Sequence, residues 1–321
     1  MRFEVMRGVF LDCNSIDRGD LKLGALRASL PDWEFYPLTE PAQVHDRIRN
    51  AQVVISNKVV LDAAAMEAAA QLQLICVAAT GTNNVDLATA RQRGIAVCNV
   101  RGYATPSVVQ HTFTLMLNLF TRIPEFHQTV MAGRWHNSNL FCLFDYPVRE
   151  LAGKVLGIVG YGELGQAVAR VAQAFDMEVI IAQRPLGQPA AGRLPLAELL
   201  PRVDVLSLHC PLTPQTRGLI GAAELALMKP TAVLINTARG GIVDEQALAD
   251  ALRAGRLAGA GVDVLSEEPP RHGSPLLNGD IPHLIVTPHI AWSSRESRQR
   301  LVDELVLNIE HFLRGNPRNA V

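Results

Sequence analysis

The sequence predicts an α/β protein made of two doubly wound parallel-sheet domains with a cleft between them. Three observations carry that expectation. The chain has 321 residues, long for a single core when a domain usually takes roughly 150. Short apolar runs alternate with amphipathic or Ala-rich stretches along its length, the pattern of parallel strands covered by helices. A glycine-rich turn at Gly160, Gly162 and Gly165 joins a strand-like run to a helix-like one.

Taken in order, the runs Val9 to Leu11, Trp33 to Tyr36, Val53 to Ile55, Leu74 to Val77 and Ile95 to Cys98 read as buried strands, with a sixth candidate beginning at Val100. Between them, the Ala-rich stretch Asp62 to Gln71 reads as a helix with Asp62 as its N-cap. Residues 107 to 131 place Val108, Phe113, Leu117 and Phe120 at helical spacing and predict one long helix bridging the domains. An aromatic loop, Trp135 to Tyr146, comes next. A second series of six strands follows at Val155 to Val159, Val179 to Ala182, Val205 to Leu208, Ala232 to Ile235, Ala260 to Val264 and Leu284 to Val286. The last helix, Ser294 to Leu313, lies beyond that series and is expected to pack back onto the first domain. The domains are therefore expected at 1–100 plus 291–321 and at 101–290.

Composition narrows the function. Hydrophobic residues make up 48% and charged residues 19%, the balance of a chain that can bury a core. The formal charge of −1 offers no field for a nucleic-acid backbone or an anionic membrane, so neither is expected as a partner. No apolar run of about 18 residues and no secretory-type start is visible, which points to the cytoplasm. Cys13, Cys76, Cys98, Cys142 and Cys210 are scattered, without a CxxC pair, and read as reduced small side chains. The histidines, His111, His127, His136 and His209 among them, show no metal-ligand spacing, and no metal is expected.

The glycine turn gains its meaning from its setting, because 24 glycines will match a loose pattern by accident. Here the strand-like Val155 to Val159 runs into it. A helix follows with Leu164, Val168, Val171, Ala172 and Phe175 on one face. In such a Rossmann-type unit the first glycine permits a tight turn, the second lets backbone amides reach a pyrophosphate, and the third lets helix and strand approach. The expected ligand is NAD. At the end of the second strand of the series, where an acid would hold the adenosine ribose, stand Gln183 and Arg184. A missing carboxylate removes repulsion against a 2′-phosphate and Arg184 could pair with one, which leaves NADP open.

Arg239, Glu268 and His289 lie at or just beyond three strands of the second series, the edge where open α/β sheets bind ligands. Their chemistry suits reduction of a 2-keto acid. An arginine offers a fixed fork to the carboxylate and the polarised carbonyl. A histidine gives a proton as the alkoxide develops and takes it back in oxidation. A glutamate bonded to the imidazole would orient it and favour its charged form. On the residues alone, Glu267 competes with Glu268 for that role.

The segments LGIVGYGELGQAVAR, LSLHCPLTPQTRGLI, MKPTAVLINTARGGIVDEQAL, AGAGVDVLSEEPP and IVTPHIAW together resemble the D-isomer-specific 2-hydroxyacid dehydrogenases over essentially the whole chain. The resemblance implies Arg239, Glu268 and His289 as the catalytic set, the glutamate being the one that directly precedes Pro269. It implies a Rossmann cofactor domain and a flavodoxin-like substrate domain. Residues Gly160, Tyr161, Gly162, Glu163, Leu164 and Gly165 would form the phosphate loop, with Gln183 and Arg184 at the ribose. His209, Cys210 and Pro211 would border the adenine, Val108, Thr237, Ala238, Arg239 and Asp263 would lie along the nicotinamide side, and Thr216 and His289 would also contact the cofactor. Ala79, Thr80 and Gly81 would present amides to the substrate carboxylate, next to Arg239 and His289. The stretches ICVAATGTNNVDL, VCNVRGYATPSVVQHTF and NLFCLFDYPVREL are similar to the bacterial glycerate dehydrogenases, also called hydroxypyruvate reductases. D-Glycerate and hydroxypyruvate, with glyoxylate, are the implied substrates, and a homodimer through the cofactor domain the implied assembly. D-Lactate or another 2-keto acid is the alternative within the family. A dinucleotide-sensing corepressor-like binding protein is the alternative of another class.

Overall fold

The computed structural model describes residues 6–185, 187, 188 and 190–321. The chain divides into two compact units, Met1–Ala104 with Trp292–Val321, and Thr105–Ala291.

The first unit holds five strands, β1 (Arg7–Phe10), β2 (Asp32–Phe35), β3 (Val53–Ser56), β4 (Leu74–Val77) and β5 (Ala96–Cys98), in the order β2-β1-β3-β4-β5. All pairings are parallel. β3 and β4 are buried on both faces, which is why they read as unbroken apolar runs in place of alternating ones. The sixth strand expected at Val100 does not form. After Cys98 the backbone leaves the ladder, Asn99 N donating to Asn319 O (3.1 Å) and Val100 N to Ala79 O (3.0 Å). The helix expected from Asp62 to Gln71 is shorter, Ala63–Ala68, and Asp62 caps it by accepting from Ala65 N at 2.8 Å. The closing helix, Arg295–Leu313, is capped by Ser294 and buries Leu301, Val302, Leu305, Val306 and Ile309 with Phe10, Ile55, Leu74 and Cys76. Each such aliphatic side chain contributes about 2 kcal/mol by leaving water.

The second unit holds β6 (Val155–Val159), β7 (Glu178–Ala182), β8 (Arg193–Leu194), β9 (Val205–Leu208), β10 (Val233–Asn236), β11 (Gly259–Val262) and β12 (Leu284–Val286). Their order is β12-β11-β10-β9-β6-β7-β8, again parallel throughout. The sheet therefore has seven strands where six were expected. The extra one is the two-residue edge strand β8, paired with Ile181 and Ala182. Chain order reverses between β6 and β9, so the carboxyl ends of those strands form the crevice in which open sheets bind ligands.

The single helix expected at 107–131 is two, Thr105–Thr121 and Ile123–Met131. Arg122 between them takes the left-handed conformation (φ 57°, ψ 32°). The cause is Pro124, which has no N–H for the ladder and whose ring would meet the carbonyl four residues back. That carbonyl, Phe120 O, accepts instead from Arg149 N at 2.9 Å.

Candidate active site

The glycine turn lies at the carboxyl end of β6, and its three glycines answer to different demands. Gly160 has φ 95°, and a Cβ there would stand 2.6 Å from Cys210 N. A Cβ on Gly165 would stand 2.2 Å from Gly160 O. Both positions are closed by the protein's own backbone. At Gly162, by contrast, no described heavy atom comes within 4 Å of such a Cβ. The helix Glu163–Ala174 starts at Gly162 with no side-chain cap, so the orphan amides of its first turn face this open side.

Beside this turn, His209 N donates to Val159 O at 2.7 Å, tying the end of β9 to β6. The imidazole Nε2 of His209 meets Ser207 Oγ at 2.9 Å, Nδ1 is buried without a partner, and burial pushes its pKa down to about 4. Cys210 is buried. Pro211 O accepts from the Thr216 hydroxyl at 2.6 Å, and Thr213 N donates to the same hydroxyl at 2.8 Å. Thr216 thus braces the loop that Pro211 opens. Across the switch point, Gln183 and Arg184 line a pocket of about 240 Å³ with Val159, Leu196 and Leu219. Gln183 Nε2 is held by Gly187 O at 2.9 Å.

Arg239, Glu268 and His289 emerge from the carboxyl ends of β10, β11 and β12, three neighbouring strands. Adjacent strands lie about 4.8 Å apart, so segments far apart in sequence are delivered side by side. The loops are locked together as well. A Cβ on Gly240 would fall 1.8 Å from Leu265 O, so the residue after Arg239 must be glycine for the backbone to lie against the segment leading to Glu268. Asn236 Nδ2 donates to Arg239 O (3.0 Å), and the Arg239 guanidinium donates to Ala238 O (2.7 Å) while remaining exposed. Glu268 accepts from Leu265 N through Oε1 (2.9 Å) and meets His289 Nδ1 through Oε2 (2.6 Å). Glu267 turns elsewhere, to His272 Nδ1 at 2.8 Å.

His289 sits at φ 53°, a left-handed conformation uncommon for a residue with a Cβ. Asp263, 1% exposed, imposes it. Its carbonyl accepts from His289 N (2.8 Å), Oδ1 accepts from Ile290 N (2.9 Å) and Thr287 Oγ1 (2.6 Å), and Oδ2 accepts from Ala291 N (2.9 Å). Val108 and Thr237 are buried, and Thr237 Oγ1 meets Thr112 Oγ1 at 3.1 Å. In the first unit, Ala79, Thr80 and Gly81 follow β4; Val100 N takes the Ala79 carbonyl and Asn99 Nδ2 that of Thr80. Among the described residues no cluster of His, Cys, Asp or Glu could hold a metal, and no helix is long and apolar enough to cross a membrane.

Against known sequences, the family model of the D-isomer specific 2-hydroxyacid dehydrogenase NAD-binding domain matches residues 113–291. This chain belongs to that family. A glycerate dehydrogenase of Methylorubrum extorquens is 44% identical to this dehydrogenase over 308 residues, 95% of this chain and 97% of that protein. A hydroxypyruvate reductase of Blautia hydrogenotrophica is 40% identical over 98% of this chain and 99% of its own length. Among solved structures, an NADPH-dependent glyoxylate/hydroxypyruvate reductase from Sinorhizobium meliloti, in complex with NADP and malonate, superposes with a TM-score of 0.82. It has 27% identity and covers 99% of this chain and 97% of that one.

The dehydrogenase's own residues fit a dinucleotide. The open flank at Gly162, the uncapped amides after it and the pocket at Gln183 lie along one edge of one sheet. Sequence reasoning overlooked two features of this site. His111 shows in sequence only the absence of metal-ligand spacing, whereas in the fold its Nε2 lies 3.0 Å from Thr287 Oγ1. The Asp263 carboxylate, besides the place along the cofactor that the resemblance implies, holds the segment that carries His289.

Proposed function

We propose that this dehydrogenase interconverts hydroxypyruvate and D-glycerate, takes glyoxylate as a smaller substrate, and uses Arg239, Glu268 and His289 as its catalytic residues. The observation that carries this reading is the 2.6 Å contact between His289 Nδ1 and Glu268 Oε2. With Nδ1–H committed to a carboxylate, Nε2 is the nitrogen that exchanges a proton with substrate. In reduction, protonated His289 gives that proton to the keto oxygen as negative charge develops there; in oxidation the neutral ring removes it. Glu268 fixes the tautomer and stabilises the imidazolium. The Arg239 guanidinium holds the substrate carboxylate and polarises the carbonyl. Amides of Ala79, Thr80 and Gly81 are proposed to meet the same carboxylate from the first unit. When bound, the nicotinamide supplies or accepts the hydride.

The substrate assignment rests on the relatives named for glycerate and hydroxypyruvate at 40–44% identity over nearly the full chain. We further propose that NADH and NADPH are both accepted, with NADH preferred. Gln183 can bond ribose hydroxyls, carries no charge to repel a 2′-phosphate, and shares its pocket with Arg184. The enzyme is proposed to act in the cytoplasm as a homodimer. Supporting the dimer, Ile123, Met131, Leu140, Phe141, Phe144 and Val148 are exposed within one stretch of the second unit, Phe141 by 90% and Phe144 by 82%.

The test is oxidation of NADH and of NADPH by the purified protein with hydroxypyruvate, glyoxylate and pyruvate in parallel. Hydroxypyruvate should give the highest kcat/KM. Pyruvate outrunning it would move the assignment to a lactate-type enzyme, and no turnover with any would leave a dinucleotide-binding protein.

A further inference from the structure

We propose that His111 is a positioning residue for His289, acting through Thr287 and Asp263. This rests on the reading of His289 as the proton-transferring group. The donor and acceptor arithmetic fixes the direction of the path. The Asp263 carboxylate, 1% exposed, receives two backbone amides, from Ile290 and Ala291, and the Thr287 hydroxyl at 2.6 Å. A hydroxyl has one proton, and Thr287 gives it to a group that only accepts. Thr287 Oγ1 must therefore accept from its other neighbour, His111 Nε2 at 3.0 Å, so the His111 ring carries its proton on Nε2. The same nitrogen lies 3.5 Å from Asp263 Oδ1. His111 thus closes a chain of donors that ends on a buried carboxyl group.

That chain has one mechanical consequence. Residues 287–291 form the turn in which His289 holds φ 53°, and they are fastened to β11 by Asp263 on one side and to the helix Thr105–Thr121 by His111 on the other. A left-handed residue with a Cβ costs about 1 kcal/mol or more and persists only where its surroundings over-determine it. Removing the His111 donor leaves Thr287 Oγ1 with an unmet acceptor in a half-closed site and frees its hydroxyl to turn from Asp263. The His289 ring would then meet Glu268 less often in the geometry that fixes its tautomer.

The test compares His111→Leu, which removes the donor, with His111→Gln, whose side-chain amide can place an N–H near the same point. His111→Leu should lower kcat for keto-acid reduction about tenfold with the KM for NADH unchanged, the scale of one lost buried hydrogen bond, and His111→Gln should recover most of it. Thr287→Val should match His111→Leu, and the double variant should lose no more than either alone. Should His111→Leu not fold, Thr287→Val and His111→Gln carry the comparison. Hydrogen exchange gives a readout without turnover: the Ile290 and Ala291 amides should exchange about tenfold faster in His111→Leu and Thr287→Val, and not in His111→Gln. Unchanged kcat in His111→Leu, equal losses in Leu and Gln, or losses that multiply in the double variant would overturn the proposal. If the unaltered protein reduces no keto acid, the functional reading fails, and the exchange rates still decide the positioning role.

Discussion

His289 and Glu268 share a 2.6 Å contact, and the two groups have separate jobs in the proposed chemistry. His289→Ala should therefore slow keto-acid reduction by about two to four orders of magnitude, the usual worth of a general acid, while NADH binding followed by fluorescence stays near normal. Loss of cofactor binding to the same degree would mean that the sheet edge itself had collapsed. His209 belongs to a different account, since burial holds its pKa at about 4 against the ordinary 6.5. Between those values the unfolded chain takes up a proton that the folded one refuses. The contribution of a neutral His209 to stability is thus whole above pH 6.5 and is lost as the pH falls toward 4, by about 3 kcal/mol. Urea midpoints taken from pH 7 to pH 4 should fall less steeply for His209→Gln than for the parent chain; parallel slopes would show that the ring is not buried in solution.

The glycine turn makes a sharper demand one level up, because its three positions separate folding from binding. Gly160→Ala forces a Cβ to 2.6 Å from Cys210 N at φ 95° and should lower Tm by several degrees. Gly162→Ala brings its Cβ within 4 Å of no described atom, so Tm should hold while the Kd for NADH rises at least about tenfold. Equal loss of Tm in both variants would contradict this division. Strands of both sheets were legible because fully buried parallel strands leave a nearly unbroken apolar word such as LICV in β4 or VLIN in β10. The break at Arg122 was visible only as Pro124, and apolar spacing on both sides overrode it. β8 left no trace, since two residues become a strand only when Ile181 and Ala182 are there to pair with them. In the site, Arg239, Glu268 and His289 were legible as residue types at strand ends. The uses of His111 and Asp263 were not, for they depend on which hydroxyl has a proton to spare.

At the scale of the whole molecule, the chain leaves the first unit after Ala104 and returns after Ala291, so the helix Thr105–Thr121 belongs entirely to the second unit. The proposed assembly is tested by replacing an exposed ring with a charge. Phe141→Asp removes apolar surface from a side chain 90% exposed, so it should leave the folded chain as stable as before and convert a dimer into a monomer by sedimentation. A parent chain that sediments as a monomer at micromolar concentration would end that proposal. The uneven glycine turn carries one more consequence, for anyone comparing descendants of this chain. A lineage that gave up its dinucleotide could place a Cβ at position 162 and still fold, whereas 160 and 165 would stay glycine for reasons of their own. Abandonment of the chemistry would then be written at one letter of the three, and a search that weighs them equally would miss it.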